Sequence, residues 1–236
     1  MPPAPEQADP GDDAVSPAVG LGVLHLFLRV TPVTDAEAVL GALKQARQSG
    51  DQVVTAALLG HRADLAVMVL GPDLRRLRVV QTALRRSGLD ATASYVSLTE
   101  VSEYAAGVPE ELRQARLYPQ LPPPGMPAYG FYPMSKRRHP DRNWYALGFE
   151  ERKALMLGHG AVGREFRGRV LQLVTGSTGL DDYEWGVSLF AVHPDDLKDC
   201  VYTMRFDEAS ARYAEFGPFY TGMVGTLNEV LAALTA

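Results

Sequence analysis

The chain has 236 residues, a formal net charge of −5, 46% hydrophobic and 22% charged residues, and a pI near 5.6. This balance is ordinary for a globular protein and gives no general reason to expect binding to nucleic acid or an anionic membrane. No apolar run reaches the roughly 18 residues a bilayer-spanning helix requires. The single cysteine, Cys200, excludes an internal disulfide framework and a cysteine-built metal site.

Residues 1–19 are acidic and proline-rich, without the basic and apolar regions of a signal peptide, and read as a disordered tail of a cytoplasmic protein. Gly20 to Pro32 is a strongly apolar strand with Leu21, Val23, His25, Phe27 and Arg29 on one face. Thr34 to Glu37 opens a helix with an acidic first turn that runs to about Gln48. Gln52 to Leu59 and Asp64 to Leu70 form a hairpin about residues 60–63. Pro72 and Asp73 start a helix that ends at Ser87 and Gly88, and Thr92 to Leu98 is the next strand. The order over residues 20–116 is β-α-β-β-α-β, the ferredoxin-like unit.

Residues 117–128 are proline-rich and read as a semi-rigid linker. Residues 129–236 repeat the order. Tyr129 to Met134 is strand-like, and Phe149 to Phe166 is helical. Gly168 to Thr175 and Trp185 to Val192 are strands, His193 to Asp196 starts a helix, Phe216 to Thr221 closes the unit, and Leu227 to Leu234 is helical. The expected fold is α+β: two ferredoxin-like units whose sheets pack together or close into an α/β barrel.

The helix from Phe149 carries the most informative local feature, Gly158-His159-Gly160. Each interior glycine costs roughly 1 kcal/mol relative to alanine, so a histidine with a glycine on either side needs a reason. One reading is a glycine-weakened helix with an ordinary histidine. The other is a backbone bared so that a flat macrocycle can approach while the imidazole meets its iron. Tyr132-Pro133-Met134-Ser135-Lys136-Arg137-Arg138 sets three cations beside hydroxyl groups at a strand end, where a carboxylate or phosphate could bind. A solvated basic turn explains the same charges without function. Asn143-Trp144-Tyr145 reads as packing before the helix. Asp181 and Asp182 read as turn caps, since their spacing fits no calcium loop. No histidine pair has the i, i+4 spacing of a helical zinc site, and no P-loop, dinucleotide fingerprint or nucleophile elbow occurs.

Tyr132-Pro133-Met134-Ser135-Lys136, Asn143-Trp144-Tyr145, His159-Gly160-x-x-Gly163-Arg164, Thr175-Gly176-Ser177 and Gly179 to Gly186 occur in an order that resembles the chlorite dismutase-like superfamily. Within it, the series is most similar to the coproheme decarboxylases of Gram-positive bacteria. The resemblance covers the chain from about Gly20. It implies two ferredoxin-like units per subunit, five subunits in a ring, and heme in the C-terminal unit. The implied reaction uses hydrogen peroxide to remove two propionates of iron coproporphyrin III (coproheme) as carbon dioxide, leaving vinyl groups and heme b. The iron porphyrin is then both substrate and redox centre. A ferrochelatase that delivers coproheme is the implied partner.

By motif position the resemblance makes His159 the proximal iron ligand, Tyr132 the residue oxidised to a radical, and Lys136 the group that positions the reacting propionate. Gln172 becomes the distal-side amide, with Arg137, Ser210, Tyr95 and Ser97 binding substrate. Tyr118 and His139 are the candidates for a distal base. Chlorite dismutases carry arginine where this chain has Gln172, which favours decarboxylation. The rival readings are a heme b-dependent chlorite dismutase or peroxidase, and a non-enzymatic heme carrier.

Overall fold

Strand burial shows where the sheet is covered and where it is not. The structure, a computed structural model, describes residues 14–105 and 107–235. The first half runs β1 (Gly22–Arg29), α1 (Ala36–Gln48), β2 (Gln52–Leu59), β3 (Leu65–Gly71), α2 (Leu74–Arg86) and β4 (Asp90–Thr99). Strand β3 is buried along its whole length, and β1 is buried up to its last residue, the signature of strands covered on both faces. One face packs beneath α1 and α2, where Leu24, Leu26 and Leu28 meet Val39, Leu43, Leu77 and Leu84. Both helices are capped by aspartates: Asp35 accepts from the Ala38 N–H and Asp73 from the Arg75 N–H, which satisfies donors a helix start leaves free.

The second half comprises α3 (Glu110–Leu117), β5 (Ala128–Lys136), the short β6–β7 ladder (Arg138–His139, Arg142–Asn143), α4 (Phe149–Arg164), β8 (Val170–Gly176), β9 (Trp185–Ala191), α5 (Pro194–Met204), α6 (Glu208–Tyr213), β10 (Ala214–Phe216), β11 (Tyr220–Val224) and α7 (Leu227–Thr235). The main sheet has nine strands in the order β10-β5-β11-β2-β3-β1-β4-β8-β9. Within it, β2-β3-β1-β4 and β8-β9-β5-β11 each have the antiparallel ferredoxin-like arrangement. An additional β5–β9 pairing closes the sheet into a ring that leaves out only β10. Inside the ring lie Val23, Phe27, Met68, Tyr129, Phe131 and Phe190, with Phe27 stacked on Tyr220 at 3.7 Å between centroids. His25 is buried among them, its Nε2 2.9 Å from Ser188 Oγ, and burial lowers its pKa to about 3.

Several elements differ from the sequence expectation. The single closing strand expected over Phe216 to Thr221 is two strands, β10 and β11, divided by Gly217-Pro218-Phe219; Pro218 has no N–H to offer a ladder. Helices α3 and α6 are additions to the expected order. Residues 1–13 of the expected tail lie outside the described residues. Residues 14–19 are not loose, because the Val15 N–H donates to Asp73 Oδ1 and the Val15 carbonyl accepts from the Leu74 N–H. That carbonyl satisfies a donor at the start of α2. Among the described residues, no helix is long and apolar enough to cross a membrane.

The two halves bury their helices differently. Helices α1 and α2 each bury three residues on the sheet, whereas the 16-residue α4 buries none. Strand β8 is correspondingly only half covered, with Gln172 and Val174 open on its outer face. The space between them is the cavity.

Candidate active site

Strand alternation builds one wall of the cavity. The outer faces of β8, β9 and β5 align in rows: Gln172 beside Leu189 and Gly130, Val174 beside Val187 and Tyr132, and Gly176 beside Trp185 and Met134. Lys136 follows Met134 on the same face of β5. Helix α4 forms the opposite wall with Met156, His159, Gly160 and Gly163, whose spacing puts them on one helical face. Val201 and Met204 of α5 and Ser210 of α6 close the end. The cavity is about 900 Å³, at the large end of small-molecule sites, roughly 300–1000 Å³.

The glycines of α4 correct part of the sequence expectation. Gly158 does not line the cavity; Gly160 and Gly163 do. A methyl group at Gly158 would meet nothing within 4 Å, and at Gly160 only an Arg164 nitrogen at 3.5 Å. No protein atom requires Gly160, so the space it leaves on the cavity wall is available to a ligand.

His159 is oriented from behind. Its Nδ1 lies 2.9 Å from Asp207 Oδ2, and Ser210 Oγ is 3.4 Å from the same nitrogen. Burial opposes ionisation of Asp207, but hydrogen bonds from His159 and Ser210 outweigh it and hold the carboxyl below its usual pKa. A proton on Nδ1 shared with Asp207 leaves the Nε2 lone pair for a metal, the carboxylate–histidine arrangement that fixes tautomer and ring plane. Among the described residues, no group of three or more His, Cys, Asp or Glu could hold a metal ion. A lone imidazole suits an iron whose other positions are filled by a macrocycle. Asp207 carries no expectation from the sequence; its only local signal is the N-cap position of α6, where it also accepts from the Ser210 N–H.

Across the cavity, Tyr132 is 8% exposed and packed against Phe216 and Phe219, at 5.4 and 4.7 Å between centroids. Burial raises the pKa of its phenol, so it stays protonated at neutral pH. Lys136 is 5% exposed, with Nζ 3.2 Å from the Ala209 carbonyl and 4.5 Å from the centroid of the Trp144 indole. Burial lowers its pKa to about 8, against the pull of Asp207 and Glu184. Glu184 also accepts from the Lys136 N–H at 2.7 Å. The Gln172 amide donates to Cys200 Sγ at 3.3 Å and Met204 Sδ at 3.5 Å, so a buried cysteine holds a cavity residue. At the cavity edge, Glu100 accepts from Trp185 Nε1 at 3.1 Å, and burial raises its pKa.

Tyr132, Lys136, His159, Gln172 and Ser210 thus share one cavity wall or another. Three expected substrate-binding residues do not. Tyr95 and Ser97 point into the closed sheet, where they hydrogen-bond Ser177 and Thr175; they lie on the inward face of β4, opposite His25 and Val23 of β1. Arg137 follows the cavity face of β5 and turns outward to Glu215 at 3.3 Å. Neither Tyr118 nor His139 lines the cavity: Tyr118 Oη accepts from the Gly20 N–H, and His139 sits exposed beside Asp141. Trp144 and Tyr145, expected only to pack before the helix, line the cavity, as does Arg152, which carried no expectation.

Residues 32–225 match the family model described as Chlorite dismutase. A protein of Natronomonas pharaonis named for heme binding is 44% identical over 211 residues, covering 82% of this chain; the chain spans only 34% of that relative's length. A coproheme decarboxylase of Staphylococcus carnosus is 46% identical over 177 residues, covering 71% of this chain and 70% of the relative. Among solved structures, a heme-binding protein from Thermus thermophilus superposes with a TM-score of 0.83 at 33% identity, over 98% of this chain and 100% of its own. A point mutant of the chlorite dismutase from Candidatus Nitrospira defluvii superposes with a TM-score of 0.73 at 21% identity, over 93% and 97%, a likeness of fold.

Because a Cβ at Gly160 would meet only an Arg164 nitrogen, at an ordinary contact distance of 3.5 Å, Gly160→Leu is expected to fold with undiminished thermal stability, since leucine gains roughly 1 kcal/mol of helix propensity over glycine. The same variant is expected to lose uptake of an iron porphyrin, read from its absorption spectrum. Unchanged uptake by a folded Gly160→Leu protein would remove this face of α4 from the site.

Proposed function

Because the chain belongs to the chlorite dismutase family, we propose that it oxidatively decarboxylates two propionates of iron coproporphyrin III with hydrogen peroxide, giving heme b. The observation that carries this reading is a neutral buried phenol and a buried cation, Tyr132 and Lys136, on one strand face across a cavity from a lone carboxylate-oriented imidazole. The coproheme decarboxylase among the relatives, 46% identical, supports the same choice of reaction. Gln172 supports it further, since the resemblance implies an arginine at that position in enzymes that decompose chlorite. The wider reading includes a cytoplasmic protein, a ring of five subunits and a ferrochelatase that supplies the substrate.

Each propionic acid and one hydrogen peroxide become a vinyl group, one carbon dioxide and two waters. In this reading His159 holds the iron of the substrate, and Asp207 keeps its imidazole in the required tautomer. Lys136 binds the carboxylate of the reacting propionate, orienting the side chain toward Tyr132. Tyr132 is kept protonated by burial, so its oxidation releases an electron and a proton together and leaves a phenoxyl radical. That radical takes a hydrogen atom from the propionate carbon next to the ring. Loss of a second electron from the propionate then breaks the bond to the carboxyl carbon and releases carbon dioxide; the two electrons, together with two protons, reduce one hydrogen peroxide to two waters. The Phe216 and Phe219 rings shield the phenol from water.

Mixing the protein with iron coproporphyrin and titrating peroxide is expected to convert the pigment in two steps, each losing carbon dioxide and two hydrogens, to the mass of heme b. Tyr132→Phe is expected to bind the substrate and leave its mass unchanged. Bleached or intact coproheme from the wild-type protein would refute the reading, and normal turnover by Tyr132→Phe would remove the phenol from it.

The Lys136 cation adds a pH dependence. The free protein loses this charge as pH rises through about 8, so kcat/KM for the tetra-anionic substrate is expected to fall above that pH. Lys136→Arg retains the charge and is expected to lose this alkaline limb. An identical limb in that variant would assign it to another group.

A further inference from the structure

We propose that Arg152 grips a second carboxylate on the porphyrin rim, the neighbour of the one held by Lys136 beside Tyr132; the proposal rests on the porphyrin reading of the cavity. Arg152 lines the cavity on the same face of α4 as Met156 and His159. It lies seven residues before His159, about 10 Å along the axis at 1.5 Å per residue. That span is comparable with the distance from a porphyrin's centre to its rim carboxylates.

The guanidinium is already fixed in place. Its Nε donates to Tyr104 Oη at 2.9 Å, and its Nη1 donates to the Leu147 carbonyl at 2.7 Å. Among the described residues, the one charged neighbour of its Nη2 is Glu103, at 3.8 Å, beyond hydrogen-bond length. Glu103 is 57% exposed, whereas Arg152 is 19% exposed, so this contact is a loose surface pair of little energetic worth. A planar fork with two donors tied down and one edge free is preorganised for a carboxylate and loses little side-chain freedom on binding it.

Trp144 sets the geometry of the two cations. Lys136 Nζ sits over its indole, while Tyr104, which holds Arg152, meets the same indole edge-on at 6.4 Å between centroids. Tyr104 also stacks on Phe149 at 5.7 Å, and the Arg152 guanidinium lies 5.9 Å from that ring. The two cations therefore flank one rigid aromatic group, the arrangement neighbouring rim carboxylates require. With Arg152 holding one carboxylate, the other is directed to Lys136 and Tyr132.

The test uses metal-free coproporphyrin, so that iron ligation by His159 does not contribute, and follows its fluorescence as it binds at several ionic strengths. Arg152→Met is expected to weaken binding roughly tenfold, the size of one charge-assisted hydrogen-bonded contact, and to flatten the dependence of Kd on ionic strength. Arg152→Lys is expected to keep the wild-type salt slope. An Arg152→Met protein with wild-type Kd and slope overturns the proposal. Weaker binding with an unchanged salt slope also overturns it, because that is the signature of a group that only braces Tyr104 and Leu147. A wild-type protein that binds no coproporphyrin overturns the porphyrin reading itself, and the proposal with it.

Discussion

A helix that never settles onto its sheet is the constraint on which the site depends. Where α1 and α2 present Val39, Leu43, Leu77 and Leu84 to the strands beneath them, α4 presents Arg152, Met156, His159, Gly160 and Gly163. Two glycines and two polar side chains cannot supply the apolar contact that draws a helix onto a sheet. The helix is held instead at its flanks, by Arg152 to Tyr104 and by His159 to Asp207. The closed sheet supplies the rigidity that this arrangement gives up: its interior, packed with Phe27, Phe131, Phe190 and Tyr220, keeps the outer face of β5, β8 and β9 in register whether or not the cavity is filled.

That register explains the electrostatics of the site. Tyr132 and Lys136 are on the same face of one strand, so a neutral phenol and a cation of lowered pKa share an apolar wall. An acidic chain of net charge −5 thereby keeps a locally basic cavity, with Lys136, Arg152 and Arg116 on its surface. The acidic groups do different work: Asp207 orients His159, and Glu184 binds the Lys136 N–H while its other oxygen meets Arg138. Three cations against the two carboxylates that also line the cavity, Glu100 and Glu103, suit a substrate with several negative charges.

The sequence makes some of this legible and hides the rest for physical reasons. Hydrophobic periodicity and turn residues give the order of strands and helices, and the expected start of the site helix at Phe149 coincides with α4. The Gly-His-Gly motif points to His159, yet the reason it suggests is half right: the open face belongs to Gly160 and Gly163, because residues three and four apart, not adjacent ones, share a helical face. The resemblance assigns Tyr95 and Ser97 to the substrate, but one-residue alternation decides which side of a strand faces the ring interior, and pairing with β1 puts both residues inside. Closure of the sheet depends on β11 meeting β2 and β4 meeting β8, contacts between the two units that lie far apart in the chain. Asp207 and Arg152 escape notice for the same reason: the local signal at Asp207 is that of a helix cap, not of the partner of a histidine 48 residues away, and Arg152 looks like any favourable helix former.

The central claim is that the gap beneath α4 is a porphyrin site with His159 on the iron, and resonance Raman spectroscopy of the ferrous coproporphyrin complex tests it most directly. The account predicts an iron–imidazole stretching band in the wild-type protein that is absent from His159→Ala and returns when free imidazole is added. The same band, unchanged in His159→Ala, would contradict the account.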